Sequence, residues 1–111
     1  MQRQLLKSKI HRAVITDADI DYEGSISIPE DLMEEVGFWP GEKVLVASIT
    51  KGARLETYVQ KGARGSGQVV MNGGAAHLIS KGELVTIMSF GLSEEPIEAK
   101  VLVCGEGNTL R

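Results

Sequence analysis

Thirteen glycines divide this 111-residue chain into short apolar runs, most of them rich in Val and Ile. That punctuation constrains the fold more than any other feature. β-Branched residues pack well on a pleated surface, whereas glycine weakens a long helix and suits tight connections. The runs IHRAVIT (10–16), KVLVASIT (43–50), LETYVQK (55–61), QVVM (68–71), LVTIMSF (84–90) and AKVLVCG (99–105) are therefore predicted as strands. One helix is predicted within SIPEDLMEEVGFWPGE: Pro29 suits the first turn, Glu30 and Asp31 favour the positive end of the helix dipole, and Gly37 closes it. Leu32, Met33 and Val36 form its apolar face. A second short helix is expected at AAHLIS (75–80), ended by Lys81-Gly82. Two β-helix-β stretches, around 25–50 and 68–90, suit a closed barrel with a helix in each half. The expected class is mainly β, a small barrel or sandwich with short helices, formed by residues 1–111 as one domain.

At 42% hydrophobic content the chain can bury a modest single core. Nothing approaches the roughly 18 consecutive apolar residues of a membrane helix, and MQRQLLKSKIHR has no run suited to a signal peptide. A cytoplasmic location and no membrane partner are expected. The net charge of −3 argues against a general nucleic-acid binder. Cys104, the single cysteine, follows an apolar run and is expected to be buried and inert, and His11 and His77 lie too far apart in sequence to suggest a metal site.

Three segments hold candidate chemistry. In DYEGSISI (21–28) a Gly-Ser pair sits between a charged run and the start of a strand; the plain reading is a turn. Lys7, Lys9 and His11 alternate and would project from one strand face, where lysine also serves simply to solvate an edge. In ARLETYVQKGARGSG, Arg54, Glu56 and Tyr58 share one face and Leu55, Thr57 and Val59 the other. Arginine offers a planar fork for a carboxylate and tyrosine a hydroxyl that moves a proton. Asn72-Gly73-Gly74-Ala75 brings backbone N–H groups near a helix start, a candidate anion site or a tight turn. Together these suit a pocket for a small carboxylate-bearing molecule, with no evident nucleophile, metal or cofactor motif.

In order and spacing, Lys9-Ile-His11-Arg12, Tyr22-Glu23-Gly24-Ser25, GARLETYV, RGSG and NGGAAH resemble the pyruvoyl-dependent aspartate decarboxylase family, over about residues 1 to 108. The resemblance implies a double-psi β-barrel with short helices, made as a proenzyme that cleaves itself between Gly24 and Ser25. The products would be a 1–24 β chain and a 25–111 α chain capped by a covalent pyruvoyl group formed from Ser25. That ketone would form a Schiff base with L-aspartate and act as electron sink for loss of CO2, yielding β-alanine for pantothenate and coenzyme A.

By the same resemblance Tyr58 is the proton donor and Arg54 the carboxylate-binding arginine. Lys9 lies near substrate, Thr57 serves self-cleavage and also contacts substrate, and Gly73, Gly74 and Ala75 bind substrate through backbone. His11, Tyr22 and Asn72 line the site. A homotetramer with sites completed across subunit boundaries is implied, and some members need a maturation factor. Gly74 stands where alanine is usual, which makes that segment more flexible.

Two other readings remain at this level. ISIPEDLMEEVGFWPGEKVLV resembles AbrB-type swapped-hairpin DNA-binding proteins, but over about a fifth of the chain, and it leaves Arg54, Tyr58 and NGGAAH unexplained. An uncleaved, non-catalytic relative is the other.

Overall fold

Alternation of buried and half-buried residues in KVLVAS and of core isoleucines in SISIP is what a sheet with one covered face requires. The computed structural model describes residues 1–110. It contains β1 (Arg3–Val14), β2 (Asp17–Asp19), β3 (Ser25–Pro29), α1 (Glu30–Val36), β4 (Lys43–Ser48), β5 (Arg54–Gly62), β6 (Val70–Asn72), a 3₁₀ turn η1 (Gly73–His77), β7 (Leu84–Ser93) and β8 (Lys100–Val103). The strands form one eight-stranded sheet in the order β2-β6-β3-β5-β4-β7-β1-β8. Pairs β1/β8, β2/β6 and β3/β5 are parallel and the rest antiparallel. Beyond β1 the chain first continues beside its neighbour β7, Ile15 N–H reaching Glu83 C=O at 2.9 Å. It then bonds at the far end of this order, where Thr16 N–H reaches Val69 C=O, just before β6, at 2.8 Å. The fold is mainly β and barrel-like, as expected of a double-psi barrel.

Ile10, Ile15, Ile26, Ile28, Ile79 and Ile87 are fully buried and, with Leu32 and Met71, fill the interior. Each such side chain contributes about 1.5–3 kcal/mol by leaving water. The predicted helix is present, and its end is held from two sides. Gly37 takes φ 77, and Phe38 N–H donates to Met33 C=O at 2.9 Å. The buried Ser8 hydroxyl donates to Val36 C=O at 2.5 Å, satisfying a carbonyl that α1 leaves open.

Several sequence expectations shift. The first strand begins at Arg3 rather than Ile10, with register slips between Leu6 and Ser8 and between His11 and Ala13. Lys7 leaves the row of Lys9 and His11: its ammonium bonds Glu42 at 3.0 Å and Gly37 C=O at 3.1 Å. The second helix is a 3₁₀ turn that begins at Gly73 and ends at His77, since five residues after an extended Asn72 give little room for α-type bonds. Cys104 is buried, and burial pushes its thiol up to about 11. Among the described residues no helix is long and apolar enough to cross a membrane.

One buried carboxylate ties the turns together. Burial pushes Glu83 up, but the Ser48 hydroxyl at 2.6 Å, the Ser80 N–H at 2.7 Å and hydroxyl at 3.0 Å, and Lys51 hold it below the usual glutamate range.

Candidate active site

Ser25 opens β3, fully buried although the residues just before it are exposed. Its antiparallel partner is Asn72, the last residue of β6. Opposed residues share a face, so the two side chains meet. Asn72 Nδ2 donates to Ser25 Oγ at 3.0 Å and, diagonally, to Ser27 Oγ at 3.1 Å. Ser25 Oγ also lies 3.5 Å from Glu23 C=O, at the limit of a hydrogen bond.

Gly73 follows Asn72 with φ 72, a conformation L side chains resist. A Cβ there would lie 2.6 Å from Gly24 Cα, 2.7 Å from Gly24 N and 3.0 Å from Tyr22 O. The first residue of η1 is therefore packed directly on the backbone of 22–24. Gly24 itself is different: a Cβ would meet nothing within 4 Å. The intimate contact that requires glycine sits at Gly73, so a side chain at 24 would not crowd the folded chain. Gly74 is exposed, and a Cβ there also meets nothing within 4 Å.

β5 lies on the other side of β3. Their parallel ladder begins at Ile26↔Val59, so one step earlier Tyr58 is level with Ser25 and Thr57 with Gly24. Parity gives Tyr58 the same sheet face as Ser25, about 4.8 Å away at the backbone. Tyr58 is 37% exposed, while Thr57, opposite Val44, turns to the other face and is half-buried. Tyr22 is exposed on the turn before the Gly-Ser pair.

Of the remaining candidates, Arg54 starts β5 itself, while Lys9 and His11 lie across the sheet on β1. The registers β5/β4, β4/β7 and β7/β1 align Arg54, Ala47, Thr86 and His11 in one row, and Glu56, Leu45, Met88 and Lys9 in the next. Arg54, His11 and Lys9 thus share an outer face, with His11 three strands from Arg54. His11 Nδ1 lies 3.2 Å from Thr86 Oγ1. Burial, then the charges of Lys9 and Arg12, hold its imidazole below the usual histidine range. Arg12 sits at the second register slip with φ 66, which turns its exposed side chain out of the strand's alternation.

The candidates therefore fall into two groups. Tyr22, Gly24, Ser25, Tyr58, Asn72 and Gly73 lie on or beside β3, with Gly74 and Ala75 following in η1 and Thr57 level but facing away. Arg54 lies four residues before Tyr58 on β5, and Lys9 and His11 lie on β1, four strands from β3. Sequence reading missed Ser27, whose only signal is two serines spaced i, i+2 in SISI. It also missed Asn108, whose carboxamide bonds Val14 N–H and C=O, both at 2.8 Å, and Gly67 C=O at 2.9 Å, pinning the tail to β1.

A family model described as aspartate decarboxylase matches residues 1–111. The chain is 57% identical over 93 residues to aspartate 1-decarboxylase 1 of Frankia casuarinae, covering 84% of this chain and 60% of that protein. It is 57% identical over 90 residues to the aspartate 1-decarboxylase of Corynebacterium efficiens, covering 81% and 66%. With that of Neisseria meningitidis it shares 46% over 115 positions, covering 100% of this chain and 91% of the relative. The matched part thus spans about two thirds or less of the first two relatives and nearly all of the third. Matched by the family model from first residue to last, the chain belongs to the aspartate decarboxylase family.

Proposed function

We propose that this protein decarboxylates L-aspartate at its α-carboxylate, giving β-alanine and CO2 for pantothenate biosynthesis, with a pyruvoyl group that it makes from its own Ser25. The observation that carries this reading is the buried Ser25 hydroxyl, braced by Asn72 while Gly73 packs on Gly24, in a chain of this family.

The residues present suit formation of that group. Ser25 Oγ attacks Gly24 C=O; the C–N bond breaks, the hydroxyl proton passes to nitrogen, and the chain is joined by an ester. Loss of the Ser25 Cα proton to water then breaks Cβ–Oγ. Oγ leaves with the electron pair as part of the Gly24 carboxylate, and residue 25 becomes dehydroalanine. Water hydrolyses it to the pyruvoyl cap of chain 25–111, releasing ammonia. Negative charge develops on Oγ in the elimination, where the Asn72 N–H already points.

The finished group supplies a ketone that withdraws electrons from the substrate's amino-bearing carbon. Arg54 binds a substrate carboxylate through its planar fork, with Lys9 adding positive charge. Tyr58 Oη holds the proton that the α-carbon takes once CO2 has left. Gly73, Gly74 and Ala75 line the substrate through backbone, Thr57 serves cleavage and substrate contact, and His11 and Tyr22 border the site. Separation of His11 and Lys9 from Ser25 by four strands of one sheet supports sites completed between copies of the chain, in a homotetramer.

Intact mass, with and without borohydride and L-aspartate, tests the reading. Two fragments parting between Gly24 and Ser25, the larger gaining a reducible adduct, are expected. A full-length chain that stays uncut on long warm incubation, alone or with a maturation factor, sinks it.

A further inference from the structure

The two hydrogens of a carboxamide nitrogen lie in a plane, about 120° apart. Asn72 spends both on one strand: one on Ser25 Oγ, the other on Ser27 Oγ. The torsion that turns a carboxamide about its own bond is broad and weakly held. With only Ser25 as partner, the Asn72 amide could swing and present its oxygen to Oγ instead. The second bond, to a residue on the same face two positions along, fixes the plane. Asn72 is 4% exposed, so water competes poorly for either hydrogen.

We propose that Ser27 is a positioning residue for self-cleavage: it holds the Asn72 carboxamide so that an N–H stays aimed at Ser25 Oγ. The inference rests on the self-cleavage reading above and deepens it. The N–H matters most when Cβ–Oγ breaks, because Oγ then takes the electron pair and becomes a carboxylate oxygen of Gly24. Conversion of the ester to cut chains is the step Ser27 serves.

The test follows cleavage of freshly made full-length protein by intact mass, with hydroxylamine added to portions at neutral pH, where it cuts the ester at Gly24-Ser25. Any cut at the Asn72-Gly73 peptide is told apart by its fragment masses. Ser27→Ala is expected to slow cleavage about tenfold, below the roughly hundredfold that outright loss of such a donor costs. The uncut chain should meanwhile become richer in hydroxylamine-sensitive ester. Ser27→Thr, which keeps the hydroxyl on a strand, restores the parent rate. Melting of each change in a Ser25→Ala background separates positioning from folding. Cleavage of Ser27→Ala at the parent rate, or slowing without ester enrichment, overturns the proposal. Should Ser27→Ala melt far below the parent, Ser27→Thr and Ser27→Cys decide: unequal rates favouring Thr support it, and equal rates overturn it. A parent that never cuts overturns the reading beneath it instead.

Discussion

The two groups of candidate residues are built in opposite ways. Around Ser25 the chain is closed and cross-braced: the hydroxyl is fully buried, Asn72 bonds two serines, and Gly73 leaves no room for a Cβ against Gly24. The face carrying Arg54 and Lys9 is open, with the arginine exposed and the lysine half-buried. Such a difference suits two tasks. Intramolecular attack on a peptide bond needs few conformations and precise approach, whereas a substrate that arrives and leaves needs charged groups that solvent can reach. The comparison yields a rule: changes in the braced region should alter cutting first, and changes on the open face should alter substrate handling alone.

The sharpest way to break that rule is Gly73→Ala. It adds a Cβ 2.6 Å from Gly24 Cα at a residue with φ 72. The left-handed conformation alone costs an L residue about 1–2 kcal/mol, and the backbone of 22–24 must shift as well. Cleavage, followed by intact mass, should fall by more than about a hundredfold, equivalent to a barrier rise near 2.7 kcal/mol. Gly24→Ala is the control for fit: its Cβ meets nothing, so it should melt like the parent in a Ser25→Ala background. Full cutting of Gly73→Ala would show that the tight approach is incidental.

Sheet order is also where sequence reading ran out. The first β-helix-β stretch was legible, because Pro29, Gly37 and the Val-rich runs are local signals, whereas the helix expected at 75–80 is a 3₁₀ turn over Gly73–His77. The start of β1 was not, since slips at Leu6–Ser8 and His11–Ala13 break the alternation that marks a strand. β2, three residues long, offers no period to detect. Of the site, the motif order supplied Ser25, Arg54 and Tyr58 by resemblance. The bond from Asn72 to Ser27 needed the β3/β6 register, and the distance of His11 from Arg54 needed the order β5-β4-β7-β1; both are set by long-range pairing.

Arg54→Ala tests the open face. Charge-assisted hydrogen bonds contribute about 1.5–3 kcal/mol, so kcat/KM for L-aspartate should fall roughly 10- to 150-fold. Extent and rate of cutting should stay at the parent values by mass. Loss of both together would join the two regions into one device and end the comparison.

The smallest effect belongs to Gly74, one residue past the tight contact. Resemblance to the family raised the expectation that glycine here loosens the segment. The structure gives no steric reason for it: a Cβ at 74 stands in open space, and the residue is exposed within η1. Alanine reduces the freedom of the unfolded chain without a new clash, which stabilises a protein by about 0.4–1 kcal/mol. Gly74→Ala should therefore raise the melting temperature slightly in a Ser25→Ala background and leave cutting unchanged. Adjacent glycines would then differ by contact and by backbone, Gly73 at φ 72 held against Gly24 and Gly74 facing solvent. A Gly74→Ala chain that cuts slowly would mean that η1 must flex as a unit for Ser25 to attack, and the braced region would extend one residue farther than its contacts indicate.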